Sequence, residues 1–242
     1  MNFLPPVLPV PPPGTTPLRV LTIAGSDSGG GAGIQADMRT MALLGVHACV
    51  AVTAVTVQNT LGVKSFHEVP DDVVSDQIEA VVTDIGIQAA KTGMLASSAL
   101  DSLRDQLFPL ATLVTPNLDE VRLLVDIEVI DSTSQRAAAK ALHALGPRWV
   151  LVKGGHLRSS DRSCDLLYDG ADFREFDSPR LPTGNDHGGG DTLATAVACA
   201  LAHGFGVPEA VGFGKRWVTE SLRAAYPLGG GHGPVSPLFR LT

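Results

Sequence analysis

The sequence predicts an α/β protein with a doubly wound, mostly parallel sheet, helices on both faces and a small antiparallel edge. Three observations predict this class. Short β-rich apolar runs alternate with segments of helical spacing, glycine-rich loops follow predicted strands, and Asp169-Gly170 separates two short apolar runs as in a hairpin. In such a sheet, ligands bind beyond the carboxyl ends of the strands.

The elements follow in chain order from periodicity and from signals at their ends. Strands are predicted at 19–24, 48–57, 87–91, 111–115 and 149–153, and the hairpin at 164–168 and 173–176. Helices are predicted at 34–44, 71–83, 118–125, 132–145, 191–203 and 207–226. The adjacent Asp71 and Asp72 favour a helix start at residue 71. Gly146 follows the helix predicted at 132–145 and ends it.

Composition limits the possible classes of function. The chain has 242 residues, of which 44% are hydrophobic, with a net charge of −7, so we expect no nucleic-acid partner. The longest apolar stretch, residues 41–57, changes from helix-like to strand-like near Gly45, so we expect no membrane span. Three cysteines without a CxxC pair argue against a disulfide framework and favour the cytoplasm. The expected partner is a small molecule.

Proline content separates the start of the chain from the rest. Residues 1–16 are predicted to be a disordered, proline-rich tail, because repeated prolines prevent a helix. Residues 17–242 are predicted to form a single domain, because no linker composition interrupts them.

The first glycine loop, at residues 28–33, follows a strand and opens a helix. It lacks the Gly-Lys-Ser/Thr ending of a Walker loop, and its partial dinucleotide pattern lacks the later acidic residue. Asp27 and Asp37 flank the loop, and their ordinary roles are a turn former and a helix-face residue.

The second glycine loop, at residues 183–192, predicts an anion site. Gly188, Gly189 and Gly190 leave backbone N–H groups unobstructed at the start of a helix. Asp191 places a proton acceptor beside the bound anion, which suits attack of a hydroxyl on a phosphoryl group. The alternative is that Asp191 only caps its helix.

Two further segments follow predicted strands. A carboxylate such as Glu120 can hold magnesium through water, and an amine such as Lys153 can reach a polyphosphate. The alternative for Asn117 and Glu120 is a helix capping box, which the local sequence favours. The seven histidines show no short metal spacing, so we expect no tightly held transition metal.

Six motifs, in order along the chain, carry a resemblance to a known family. They are Leu21-Thr-Ile-Ala-Gly-Ser-Asp-Ser-Gly-Gly-Gly-Ala-Gly-Ile-Gln-Ala-Asp37, Thr53-Ala-Val-Thr-Val-Gln-Asn-Thr60, Lys91-Thr-Gly-Met-Leu95, Thr115-Pro-Asn117, Val152-Lys-Gly-Gly-His156 and Gly231-His-Gly-Pro-Val235. They extend from about Arg19 to Leu238. The chain resembles the ribokinase superfamily, and within it the bacterial hydroxymethylpyrimidine/phosphomethylpyrimidine kinases of thiamine biosynthesis.

The resemblance implies a ribokinase-like fold and an activity. The implied reaction is ATP-dependent phosphorylation of 4-amino-5-hydroxymethyl-2-methylpyrimidine and then of its monophosphate, with Mg²⁺ as cofactor. Family members are commonly homodimers, so a homodimer is also implied. Pyridoxal kinase, which similar scaffolds support, and a non-catalytic pyrimidine-binding protein stay open as alternatives.

Site residues are implied position by position. The substrate pocket corresponds to Gln58, Gly25, Asp37 and Met94. The anion hole and the catalytic position correspond to Gly188, Gly189, Gly190 and Asp191. The nucleotide side corresponds to Lys153, Asn117, Glu120 and Lys215, with Glu120 holding Mg²⁺ through water. The amide of Gln58 can recognise the pyrimidine because it both donates and accepts hydrogen bonds.

The chain departs from the family pattern at two places. The family usually has cysteine where this chain has Asp191, although sugar kinases of the wider superfamily have aspartate there. Between Met94 and Thr115 the family normally has two helices, a strand and a loop, whereas only residues 95–111 lie here. We expect that residues 96–100 join two segments that are separated in a longer form of the chain.

Overall fold

The computed structural model describes residues 7–93, 100–155, 157 and 161–241. They fall into two compact units, a first unit of Met1–Leu95 with Pro182–Thr242 and a second unit of Ala96–Leu181. The strands are β1 Arg19–Ala24, β2 His47–Val52, β3 Ala54–Asn59, β4 Gly62–Glu68, β5 Ala89–Thr92, β6 Leu113–Val114, β7 Trp149–Val152, β8 Arg162–Tyr168 and β9 Phe173–Pro179. The α-helices are α1 Gly33–Leu43, α2 Asp71–Ala80, α3 Leu100–Ser102, α4 Leu118–Val125, α5 Ser132–His143, α6 Gly189–Ala202 and α7 Val207–Arg223.

A parallel sheet in the order β2-β1-β5 forms the centre of the first unit. The strand β1 is apolar and mostly buried, and Leu21 lies opposite Cys49 of β2 and Ala90 of β5. Helices α1 and α6 pack against each other and against this sheet, and α7 packs against α6. The carboxyl end of β1 therefore leads directly into the first glycine loop.

A hairpin of β3 and β4 divides the strand predicted at 48–57. Thr53 separates β2, which joins the parallel sheet, from β3, which pairs antiparallel with β4. The prediction of one strand was wrong because both halves are rich in β-branched residues and no glycine or proline lies between them. Every residue of β4 is exposed.

A mixed sheet in the order β6-β7-β8-β9 forms the second unit. β6 and β7 are parallel, whereas β7, β8 and β9 are antiparallel. Helices α4 and α5 pack over a core that includes Val121, Leu142 and Val150. The predicted antiparallel edge is confirmed, and Gly170 (φ 98°) makes its turn.

The α/β class is confirmed, but parallel pairing is less dominant than predicted. The described strands pair in parallel as β1-β2, β1-β5 and β6-β7, and antiparallel as β3-β4, β7-β8 and β8-β9. Each predicted helix has an observed counterpart, with ends that coincide or differ by at most three residues. The junction that we expect at 96–100 lies mostly outside the described residues.

Part of the predicted tail is packed. Leu8 is 1% exposed, and a Cβ on Gly45 would lie 3.1 Å from Cα of Val10. Residues 7–16 thus include an apolar anchor, which proline content alone does not indicate. In the described ranges, no helix has the length and apolarity needed to cross a bilayer.

Candidate active site

The second glycine loop ends in the start of α6. Gly188 is the N-cap, with φ 76°, and the helix begins at Gly189, two residues earlier than predicted. The N–H of Gly189 donates to the carbonyl of Asp186 at 3.0 Å. The N–H groups of Gly188, Gly190 and Asp191 have no hydrogen-bond partner among the described residues. These groups, at the positive end of a 14-residue helix, can bind an anion.

Glycine is required where the two glycine loops touch. A Cβ on Gly188 would lie 2.0 Å from the carbonyl oxygen of Gly31, and a Cβ on Gly31 would lie 2.5 Å from Cδ2 of His187. A Cβ on Gly33 would lie 2.4 Å from the carbonyl oxygen of Gly25. A side chain at Gly31 or Gly188 would force the two loops apart, and one at Gly33 would displace Gly25, so these glycines serve close packing.

Asp27 fills the first glycine loop with the protein's own carboxylate. It is 2% exposed and accepts hydrogen bonds from the N–H groups of Gly29 at 2.8 Å, Gly31 at 2.9 Å and Ala32 at 2.8 Å. The amides that would otherwise hold a phosphate are therefore occupied. This geometry agrees with the absence of Walker chemistry that the sequence predicts.

His187 links Asp27 to Gln58. Its Nε2 lies 2.9 Å from Oδ2 of Asp27. Burial raises the pKa of Asp27, but the hydrogen bonds from His187 and the loop amides outweigh burial, and the net pKa is lowered. An ionised carboxylate only accepts, so Nε2 of His187 carries a proton. Nε2 of Gln58 lies 3.3 Å from the same ring nitrogen, so the Gln58 amide lies beside the His187–Asp27 pair.

Asp191 is held by two groups from outside its own helix. Its Oδ2 accepts from the N–H of Gly33 at 3.0 Å, and its Oδ1 lies 3.2 Å from Nζ of Lys91. The side chain does not cap α6, so the alternative reading of Asp191 as a helix cap is wrong. Its side chain is 24% exposed, which leaves the carboxylate accessible to a ligand.

Asp37 is a buried anchor in this structure. It is 0% exposed, and its carboxylate accepts from the hydroxyls of Thr22 and Thr195, each at 2.6 Å, and from Nζ of Lys91 at 2.8 and 3.0 Å. Burial raises the pKa of Asp37, against the lowering effect of Lys91. The expected contact of Asp37 with substrate is not what the structure shows, because its oxygens face only protein groups.

Three other residues predicted for the site are Gly25, Lys215 and Met94. Gly25 lies between β1 and the first glycine loop, and its carbonyl accepts from the N–H of Ile34 at 3.0 Å. Lys215 lies on α7 and is 7% exposed. Met94 lies outside the described residues.

The second unit brings Asn117, Glu120 and Lys153 together. Oδ1 of Asn117 accepts from the N–H of Glu120 at 2.9 Å, and Oε2 of Glu120 accepts from the N–H of Asn117 at 2.6 Å. The capping-box reading is therefore confirmed. Nζ of Lys153 lies 3.9 Å from Oε2 of Glu120, at the carboxyl ends of β6 and β7. A cation and a carboxylate at this edge can serve a magnesium polyphosphate.

Sequence reasoning missed the network around Asp191. It gave no role to Lys91, Thr22 or Thr195, and it treated His187 as an ordinary histidine. One signal was present, because Lys91 stands in the short strand Ala-Ala-Lys-Thr beside a buried sheet. A lysine in such a place requires a carboxylate partner.

Comparison with known proteins assigns the family. A model of the phosphomethylpyrimidine kinase family matches residues 27–102 and 95–236. A hydroxymethylpyrimidine/phosphomethylpyrimidine kinase of Mycobacterium tuberculosis is 74% identical over 279 aligned positions that cover 100% of both chains. The chain belongs to the phosphomethylpyrimidine kinase family. A family relative from Streptomyces coelicolor is 48% identical over 93% of this chain and 96% of its own.

Solved structures of other proteins share the fold of this chain. A Bacillus subtilis pyridoxal kinase in an ADP complex has a TM-score of 0.88 and 31% identity, covering 94% of this chain and 100% of its own. A Clostridium difficile phosphomethylpyrimidine kinase has a TM-score of 0.72 and 31% identity, covering 84% and 100%. The predicted ribokinase-like fold is thereby confirmed.

The alignment also bears on the segment after Met94. The match to the M. tuberculosis relative runs over 279 positions, whereas this chain has 242 residues. Some aligned positions therefore have no residue in this chain. The two ranges that match the family model overlap at residues 95–102, in the interval where we expect the junction.

Replacing Asp27 tests its role as an internal anion. Asp27→Asn removes a carboxylate with four hydrogen-bond donors, so we expect a loss of about 1–3 kcal/mol in the free energy of unfolding at neutral pH. A lowered pKa stabilises the folded state above the unfolded pKa of about 3.9, and this stabilisation is lost as the pH falls through the folded pKa. Urea unfolding from neutral to acid pH should show the two proteins converging below that point.

The matched control is Asp76→Asn, an exposed residue of α2, which should change stability by less than about 0.5 kcal/mol. A difference between wild type and Asp27→Asn that stays constant with pH would contradict this role of Asp27.

Proposed function

We propose that this chain transfers a phosphoryl group from ATP to 4-amino-5-hydroxymethyl-2-methylpyrimidine and then to its monophosphate, in thiamine diphosphate biosynthesis. The observation that carries the proposal is the placement of Asp191 beside the unpartnered amides at the start of α6, with the amide of Gln58 at the neighbouring His187. The names of the 74% and 48% identical relatives support the same substrates.

Asp191 and the backbone amides of Gly188 and Gly190 have different roles in the proposed reaction. The hydroxymethyl oxygen attacks the γ-phosphorus of ATP and gives its proton to Asp191, while the bond from that phosphorus to the leaving oxygen of ADP breaks. The N–H groups of Gly188 and Gly190 stabilise the negative charge on the transferring phosphoryl oxygens. Gly189 contributes through its conformation, since its N–H already donates to Asp186.

Gln58 accounts for recognition of the pyrimidine. Its NH₂ can donate to a ring nitrogen, and its oxygen can accept from the amino substituent. His187, which is paired with Asp27, lies beside this amide. Gly25 and Met94 are proposed to line the same pocket.

Lys153, Asn117 and Glu120 of the second unit are proposed as nucleotide contacts, and Lys215 of the first unit is proposed separately as one. Glu120 fits a hydrated Mg²⁺, because its carboxylate is half-exposed and Mg²⁺ commonly binds proteins through one or two carboxylates and several waters. Asn117 holds Glu120 through the capping box. Lys153 contributes a positive charge for polyphosphate. When bound, Mg²⁺ would neutralise charge on the phosphates.

Asp191 replaces the cysteine usual in the family, and another cysteine of α6 cannot take its place. Cys199 is 0% exposed, and burial raises the pKa of its thiol to about 12. An ordinary aspartate is ionised at neutral pH, whereas an ordinary thiol with a pKa of about 8.5 is mostly not. A carboxylate at residue 191 therefore suits proton acceptance at neutral pH.

A phosphate-transfer assay tests the proposed function. Purified protein with Mg²⁺ and ATP should phosphorylate both pyrimidine substrates and prefer them to pyridoxal. Asp191→Asn should lower kcat by about 10²–10⁴-fold with little change in KM, because it removes general-base catalysis. Asp76→Asn, an exposed carboxylate change on α2, should match wild type. Preference for pyridoxal, or binding without turnover, would refute the proposal.

We also propose that the protein works in the cytoplasm as a homodimer joined through the β3–β4 hairpin. Val55 and Val57 lie on one face of the hairpin and Phe66, opposite Thr56, lies on the other face, and each is about half or more exposed. Exposed apolar side chains on both faces of a hairpin support an interaction site there. A second copy of the chain would cover it with the same residues.

Light scattering tests the dimer. The wild type should have the mass of two chains, and Phe66→Asp should have the mass of one, because a buried unpaired charge would oppose association. Leu123→Asp, at an exposed leucine of α4, should remain dimeric. A wild-type mass of one chain would contradict the proposed dimer.

A further inference from the structure

Lys91 is a buried cation between two carboxylates. It is 7% exposed and lies at the end of β5. Its Nζ is 2.8 Å from Oδ2 of Asp37 and 3.2 Å from Oδ1 of Asp191. A buried ammonium is stable only when it is paired and hydrogen-bonded, and both conditions hold here.

Asp37 fixes the position of the ammonium. Its donors come from three elements, Thr22 of β1, Thr195 of α6 and Lys91 of β5. Because Asp37 is 0% exposed and bonded on all these sides, its carboxylate has no room to follow a ligand. Lys91 is thereby held in place from the buried side.

Asp191 is fixed from the other side. The N–H of Gly33 holds Oδ2 and Lys91 holds Oδ1, so the carboxylate plane is set by two donors at 3.0 and 3.2 Å. Each oxygen keeps a further lone pair. The exposed quarter of the side chain can therefore accept a proton without losing these bonds.

The charges of the cluster explain why a lysine is needed. Asp37 and Asp191 interact as like charges, and Lys91 is the ammonium that bridges them. Without it, two carboxylates would share a poorly solvated site, and one of them would take up a proton. Proton uptake by Asp191 would remove the acceptor that the reaction requires.

We propose that Lys91 is a positioning residue for the reaction, which keeps Asp191 ionised and aimed at the substrate hydroxyl. This inference rests on the proposed function of Asp191. Lys91 does not touch the reacting atoms in this scheme. It acts through Asp191, and Asp37 in turn acts through Lys91.

The ionisable groups in and around the cluster come from several packed elements. Asp37 comes from α1, Lys91 from β5, and Asp191 and Cys199 from α6. The thiol of Cys199, whose pKa burial raises to about 12, stays neutral in the range of the assay. Lys215 is a buried lysine of α7, the helix that packs on α6. The strand β1 contributes the uncharged Thr22.

Two variants separate the role of Lys91 from stability. Lys91→Met alone would leave Asp37 as a buried unpaired charge, so we use Asp37→Asn and the double variant Asp37→Asn/Lys91→Met, in which no buried charge is left unpaired. In Asp37→Asn, Lys91 pairs with Asp191 alone, which favours the ionised form of Asp191. The fall of kcat on the acid side of the pH profile (the acid limb) should therefore move to lower pH. In the double variant it should move to higher pH, and kcat at neutral pH should fall about tenfold or more. KM for ATP and pyrimidine should change by less than about threefold.

The control is Lys64→Met, an exposed lysine of β4, which should keep the wild-type kcat and pH profile. Thermal unfolding should show that both test variants are folded. If the double variant does not fold, an acid limb in Asp37→Asn that coincides with wild type overturns the proposal.

The outcomes distinguish this proposal from the proposed function. A wild type without phosphate transfer to the pyrimidines would refute the function itself. An active wild type, together with a folded double variant of equal kcat and unchanged acid limb, would refute the role of Lys91 and leave the function standing.

Discussion

The contact between the two glycine loops of the first unit is the constraint on which the site depends. Gly188 lies so close to the backbone of Gly31 that no side chain fits between them, and this closeness lets the N–H of Gly33 reach Asp191. The start of α6 is thereby fixed against the end of β1. The amides at the start of α6, the carboxylate of Asp191 and the first glycine loop come together because the backbones meet at this point.

Burial gives three aspartates of the first unit different roles. Asp27 is 2% exposed and serves as the internal anion of a loop, and Asp37 is 0% exposed and anchors Lys91. Asp191 has comparable donors but a side chain that is 24% exposed, so it alone of the three combines an ordered carboxylate with access to a ligand. Residue type is the same in each case, and the environment decides the chemistry.

Local signals predicted part of this arrangement from sequence. The helix at 118–125 was predicted with the observed ends because Asn117 and Glu120 form a capping box, and the helix start after Gly188 follows from three consecutive glycines. The β3–β4 hairpin could not be separated from β2, because both are β-branched runs. The bonds of Lys91 join residues 54 and 100 positions apart, and such pairs leave no local pattern.

A structure of the substrate complex tests the central claim most directly. The claim is that Asp191 accepts the proton of the alcohol while the amides of Gly188 and Gly190 hold the transferring phosphoryl group. A crystal structure of Asp191→Asn with the pyrimidine alcohol and a non-hydrolysable ATP analogue should place the alcohol oxygen within about 3.2 Å of the side chain of residue 191. The γ-phosphoryl oxygens should face the two amides. An alcohol that points away from residue 191, with both amides facing solvent, would contradict the account.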